Sequence, residues 1–151
     1  MKHPRRVVSG TRALPWHGWM AGGLLLLFGI AAAFDHGMSL ALGEEFYRAS
    51  GMSEAQVGYF AAVPAWAIAG WTLSVWGGLL GAAALLLRRR QAGWLFAASL
   101  LGGLVYILYV LVLSEGRQAM GVLWMMPPVM AAITALMVRY CQRLVRRGVL
   151  R

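Results

Sequence analysis

Apolar positions along the chain fall into four long runs rather than into strictly alternating or short amphipathic patterns. The runs are about 16–34 (WHGWMAGGLLLLFGIAAAF), 65–87 (AWAIAGWTLSVWGGLLGAAALLL), 92–113 (AGWLFAASLLGGLVYILYVLVL) and 119–138 (AMGVLWMMPPVMAAITALMV). About 20 apolar helical residues cross a hydrocarbon core roughly 30 Å thick. Backbone groups in hydrocarbon must be paired within their own segment, and no ten-residue alternating strands are present to build a barrel. The pattern therefore predicts an all-α membrane protein, a bundle of four transmembrane helices spanning 16–138.

Between the first two runs lie about thirty residues, 35–63, too many for a tight hairpin. Ser53-Glu-Ala-Gln56 has the spacing of a capping box, so a helix is expected from Glu54 through VGYFAA. Pro64 should break it. Upstream, MSLALGEEFYRA reads as an amphipathic segment lying on the membrane surface or over the bundle mouth. Glu44 and Arg48 within it are spaced to pair on a helix, and Gly51 offers a turn between the two pieces.

Charge orients this frame. Twelve of the fourteen Lys and Arg residues flank the runs on one side: Lys2, Arg5, Arg6, Arg12, Arg88–Arg90, Arg139, Arg143, Arg146, Arg147 and Arg151. Arg48 and Arg117 fall on the other side with all five acids. Positive residues are retained in the cytoplasm, so the expectation is N-in/C-in, with 1–15 and 139–151 as basic cytoplasmic tails and 35–63 as a periplasmic helical loop. The 60% hydrophobic and 13% charged composition, with mean hydropathy +0.66, excludes an ordinary soluble domain. It also argues against nucleic-acid binding, which would need the net charge of +9 on a solvated face. The lone Cys141 excludes an intrachain disulfide and any CxxC site. Run one also fits a cleavable signal peptide ending at Ala33; its length favours an intact anchor.

The chemistry inside the runs is sparse. Gly70, Ser74, Gly78 and Ala82 recur every four residues and form a small-residue packing face, suited to bundling within the chain or to a homo-oligomer. Gly102 and Gly103 are the expected counterpart. Trp76 lies near mid-membrane and serves either as a packing aromatic or, with Tyr106 and Tyr109, as the wall of an outward cavity. Pro127 and Pro128 should kink the fourth span, a feature some transporter sites use. The methionines around them read as gap-fillers rather than copper ligands. His17 is the one ionisable residue expected within a span. Asp35–His36 is taken as a solvated loop pair. No nucleophile elbow, P-loop, metal site or cofactor motif occurs, so the chain is not expected to be an enzyme.

Several stretches resemble a family of small four-helix bacterial inner-membrane proteins, uncharacterised and often labelled as sugar transporters. The residues that carry the likeness are Asp35, Met38 and Ser39; Glu45 and Tyr47; MSEAQVGYF; PAW at 64–66; VWGGLLGAAALLLRRR; SLLG at 99–102; and RGVLR. His36 and Ser39 depart from the family's usual aromatic and Thr, and the spacing from Asp35 to Tyr47 is one residue longer. The resemblance implies an inner-membrane location. The leading expectation is a binding, accessory or structural component whose loop, through Asp35, Met38, Glu45 and Tyr47, contacts a membrane or periplasmic protein. The alternative is a small-solute transporter with Asp35, Trp76 and Tyr106 around its cavity.

Overall fold

A computed structural model describes residues 13–151; the expected basic segment carrying Lys2, Arg5, Arg6 and Arg12 lies outside them. The elements are α1 (Trp16–Leu42), α2 (Glu44–Ala49), α3 (Glu54–Ala61), α4 (Ala65–Leu86), α5 (Ala92–Leu108), α6 (Gly116–Ala119) and α7 (Met126–Arg146). A π-helical turn, Tyr109–Leu113, extends α5, and a 3₁₀ turn, Gly121–Met125, leads into α7. Four helices are long and apolar enough to cross a membrane: Trp16–Leu42, Ala65–Leu86, Ala92–Leu113 and Gly121–Arg146. The all-α four-helix bundle expected from the sequence is the fold observed.

The helices pack in the order α1–α4–α5–α7. The α4–α5 seam is the tightest because glycine brings backbone against backbone. A Cβ built on Gly102 would stand 2.5 Å from the Gly70 carbonyl oxygen and 2.7 Å from the Ser74 amide. Gly77 faces the Ser99 backbone, and Gly81 faces the Phe96 ring. The expected stripe faces α5, with Gly70 and Ser74 against Gly102, Ser74 against Gly103 and Gly78 against Ser99. Gly70 lies in the seam with Gly77 and Gly81, Ala82 is buried in the core, and Ser74 and Gly78 turn partly toward a groove described below. The physical reason is the 3.6-residue repeat, by which every-fourth positions drift about 40° per step away from a straight seam.

Three boundaries differ from expectation. α1 does not stop at Phe34; it continues to Leu42, taking Asp35 and His36 out of the supposed loop and into the bundle. The fourth long helix runs past Val138 to Arg146. Pro127 and Pro128 occupy the first turn of α7, where the missing amides have no helical partner to lose, so they start the helix instead of kinking it.

At one end of the bundle α2 and α3 form a lid. The capping box at Ser53 and Gln56 is present, and Gly51, with φ +78°, makes the turn between the two helices. Val57 is fully buried, and Tyr47 and Phe60 pack with ring centroids 5.5 Å apart. The Tyr59 hydroxyl lies 2.8 Å from Ser114 Oγ, and the Gln56 side-chain amide donates to the Met120 carbonyl at 3.4 Å. Burial raises the Tyr59 phenol above its ordinary value of 10.0, which keeps it a neutral hydroxyl near pH 7.

Arg48 ties the lid helices together, contacting Glu44 at 3.0 Å, the pairing its spacing suggests, and Glu54 at 3.1 Å. The hydrogen bond from Arg48 holds the Glu54 carboxyl below its ordinary 4.5. A depressed acid contributes fully above its unfolded pKa, and the contribution is lost as pH falls through the folded one. Amide exchange in α2–α3 should therefore quicken between about pH 5 and about pH 3, after correction for intrinsic rates, while α4 stays protected. Equal protection of the lid at both pH values contradicts the role given to this pair.

The opposite end carries the arginines. α4 and α7 both finish in Schellman motifs there. Arg89 N–H donates to the Ala84 carbonyl and Val149 N–H to the Leu144 carbonyl, each at the 6→1 spacing. The two emerging chains then bond to each other, Arg90 N–H to the Arg151 carbonyl at 2.8 Å and Arg151 N–H to the Arg88 carbonyl at 2.9 Å. The left-handed position after α7 is Gly148, but the one after α4 is Arg88, at φ +55°. Arg88→Gly should relieve about 1 kcal/mol of strain and raise the unfolding midpoint in detergent; a lowered midpoint would show that the Arg88 side chain contributes more than its backbone costs.

Candidate functional site

α1 and α7 meet at the arginine end, where the Tyr140 hydroxyl lies 2.9 Å from His17 Nδ1. They are not packed together along their length, and toward the lid a groove of about 450 Å³ separates them. One wall is α1, from Leu25 through Phe28 and Ala32 to Asp35; the other is α7, with Met126, Met130, Ile133, Thr134 and Met137. α4 and α5 form the floor through Trp71, Ser74, Gly78, Ser99 and Tyr106. Its volume is that of a small-ligand site.

The lining is mainly apolar, and two of its four hydroxyls are already engaged. Ser99 Oγ donates to the Ser74 carbonyl at 2.6 Å and Thr134 Oγ1 to the Met130 carbonyl at 2.7 Å. The Asp35 carboxylate and the Tyr106 hydroxyl have no hydrogen bond among the described residues. They make the lid end of the groove its polar end. Flexible Met126, Met130 and Met137 give the α7 wall an adaptable surface.

A buried histidine supports this end. His36 is 1% exposed, and its ring meets Trp71 edge-on at 4.5 Å. Trp71 in turn stacks on Tyr106 at 5.9 Å. Thr72 Oγ1 lies 3.0 Å from His36 Nε2 and donates its proton to the Ile68 carbonyl at 2.8 Å. The threonine oxygen is then the acceptor, which assigns the ring proton to Nε2 and leaves Nδ1 a buried lone pair without a partner among the described residues. Thr72 sits seven residues into α4, about 10 Å below its lid end at 1.5 Å per residue. Asp35 and His36 belong to a helix long and apolar enough to cross a membrane, within which an ionisable side chain is expensive. The expectation that the spans hold no ionisable residue but His17 is corrected here.

Of the other residues singled out, Tyr106 is in the groove and Trp76 is not. Trp76 is 45% exposed, and the α4 tryptophan in the groove is Trp71, on its floor. At 100° per residue, Trp76 lies about 160° around α4 from Ser74 and Trp71 only about 60°, so helical phase could have separated them. Tyr109 belongs to the lid cluster with Tyr59 and Trp66. Met38 is half-buried on α1 outside the groove, Glu45 is exposed on α2, and Tyr47 is buried under the lid rather than offered to a partner. Comparison with protein-family models, with curated proteins and with solved structures returns no match.

Proposed function

We propose that this chain is a binding or accessory component of the bacterial inner membrane, with the α2–α3 lid on the periplasmic side, and that it holds an amphiphile in the groove between α1 and α7. The groove itself carries the reading: it is long, largely apolar, rimmed by methionines and polar at one end. An apolar chain would lie along α7 while a hydrogen-bond-donating or positively charged head reached Asp35 and the Tyr106 hydroxyl. The lid helices contribute no residue to the groove lining, and exposed Glu45 is the loop residue left to meet a protein partner. Arginine asymmetry supports the orientation. No catalytic step is assigned to the site.

A sugar-like solute suits the groove less well, because polar ligands need many free hydrogen-bonding groups and the Ser99 and Thr134 hydroxyls are spent on backbone carbonyls. A photoactivatable long-chain amine tests the reading. Its crosslinks should map to α1 and α7, fall severalfold in Ala32→Phe, which fills the groove, and lose their preference over the matching alcohol in Asp35→Asn. Labelling spread evenly over all lipid-facing surfaces overturns it. Saturable flux of a water-soluble solute through reconstituted protein would establish transport instead.

A further inference from the structure

A second cavity lies at the arginine end, between the start of α5 and the end of α7, independent of the groove above. It measures about 310 Å³. Arg90, Gln142 and Arg146 stand on its rim, and Gly93, Ala97, Val138, Cys141 and Val145 make an apolar floor that descends between the two helices. Trp94, 81% exposed, flanks the opening. The polar rim thus sits over a hydrocarbon slot at the level where the bundle leaves its apolar span.

Three features indicate what it takes. The backbone at Arg90 is anchored, its N–H bonded to Arg151 while the Arg151 N–H bonds to the Arg88 carbonyl. Neither Arg90 nor Arg146 forms an ion pair among the described residues. All five acids of the chain belong to the other end: Asp35 in the groove, Glu44, Glu45 and Glu54 in the lid, and Glu115 before α6. Two arginines that pair with no acidic side chain, above an apolar slot and beside an exposed tryptophan, complement one anionic head with an attached chain.

We infer that this cavity is a binding site for an anionic phospholipid, its phosphodiester between Arg90 and Arg146 and one acyl chain along Gly93, Ala97 and Val138. Gly93 matters because a Cβ there would stand 3.6 Å from Cys141 Cβ and narrow the slot.

Native mass spectrometry of the full chain, released from detergent with phosphatidylglycerol or phosphatidylcholine of the same acyl chains, provides the test. Phosphatidylglycerol should bind roughly tenfold more tightly at low salt, and the preference should shrink as salt rises. Arg90→Gln/Arg146→Gln should abolish the preference, whereas Arg139→Gln, at the same end but off the cavity, should keep it. Ala97→Trp should weaken phosphatidylglycerol binding with both arginines in place. Circular dichroism verifies that each variant is folded; should the double variant fail to fold, Ala97→Trp and Arg139→Gln still decide the matter. Equal binding of the two lipids, an equal loss in Arg139→Gln, no loss in Ala97→Trp, or full competition by soluble glycerophosphate each overturns the site. The last would show that a free phosphate is the ligand.

Discussion

Gly102→Leu is expected to be the most damaging single substitution in the chain. Even a methyl group at Gly102 meets the Gly70 carbonyl, the Ser74 amide and the Leu73 side chain at 2.5, 2.7 and 2.9 Å. Backbone atoms cannot swing aside as a flexible side chain can, so α5 must back away from α4. That withdrawal opens the longest seam in the bundle, where close packing rather than the hydrophobic effect drives association in lipid. The loss should be about 3 kcal/mol or more, with Gly102→Ala costing somewhat less. Gly23→Ala is the control, because no atom lies within 4 Å of a Cβ there; it should stay within about 0.5 kcal/mol. Denaturant-induced unfolding in micelles, followed by tryptophan fluorescence, measures all three. Equal midpoints for Gly102→Leu and Gly23→Ala would mean that α4 and α5 do not touch as described.

The second large effect is expected at His36. Removing its ring in His36→Ala takes away a buried aromatic partner of Trp71 and leaves a void, a loss of about 3 kcal/mol. Thr72→Val keeps the shape of the site but deprives the Nε2–H of its acceptor, at about 1–3 kcal/mol. His36→Phe keeps a ring against Trp71 and needs no acceptor, so it should recover most of the loss. The decisive comparison is a double-mutant cycle. Thr72→Val should cost almost nothing once His36 is Phe, because the hydrogen bond it breaks is already gone. Undiminished cost in that background would remove the hydrogen bond from the account.

His36 also shows where local reading stopped. Asp-His-Gly after a long apolar run has the polarity of a solvated exit from the membrane, and a window of neighbouring residues holds nothing to contradict it. α1 nevertheless stays helical to Leu42, and His36 within it meets a partner thirty-six positions away, Thr72, together with the Trp71 ring. The lid behaved differently. Ser53–Gln56 and Glu44–Arg48 are interactions within one helical turn or so, and both appeared as their spacing suggests.

Pro127–Pro128 lay between these cases. Proline's effect on a helix depends on whether it falls in the first turn or the interior, and that boundary is set by where the 3₁₀ turn hands over to α7. The arginine-end cavity was out of sight for a further reason: its rim joins residues 90 and 146, whose proximity follows from the packing of α5 on α7.

Four helices of membrane-crossing length, the capped lid and the tight glycine approach of the second and third spans were readable in one dimension. Hydrophobic length, capping and small-residue periodicity act within a segment or its immediate phase. The groove, the inclusion of Asp35 and His36 in α1, the exchange of Trp76 for Trp71 and the placing of Arg90 beside Arg146 were decided in three dimensions. Each depends on which helix faces which and at what height, and in a bundle surrounded by apolar solvent that choice rests on close packing between distant positions, to which hydropathy is blind.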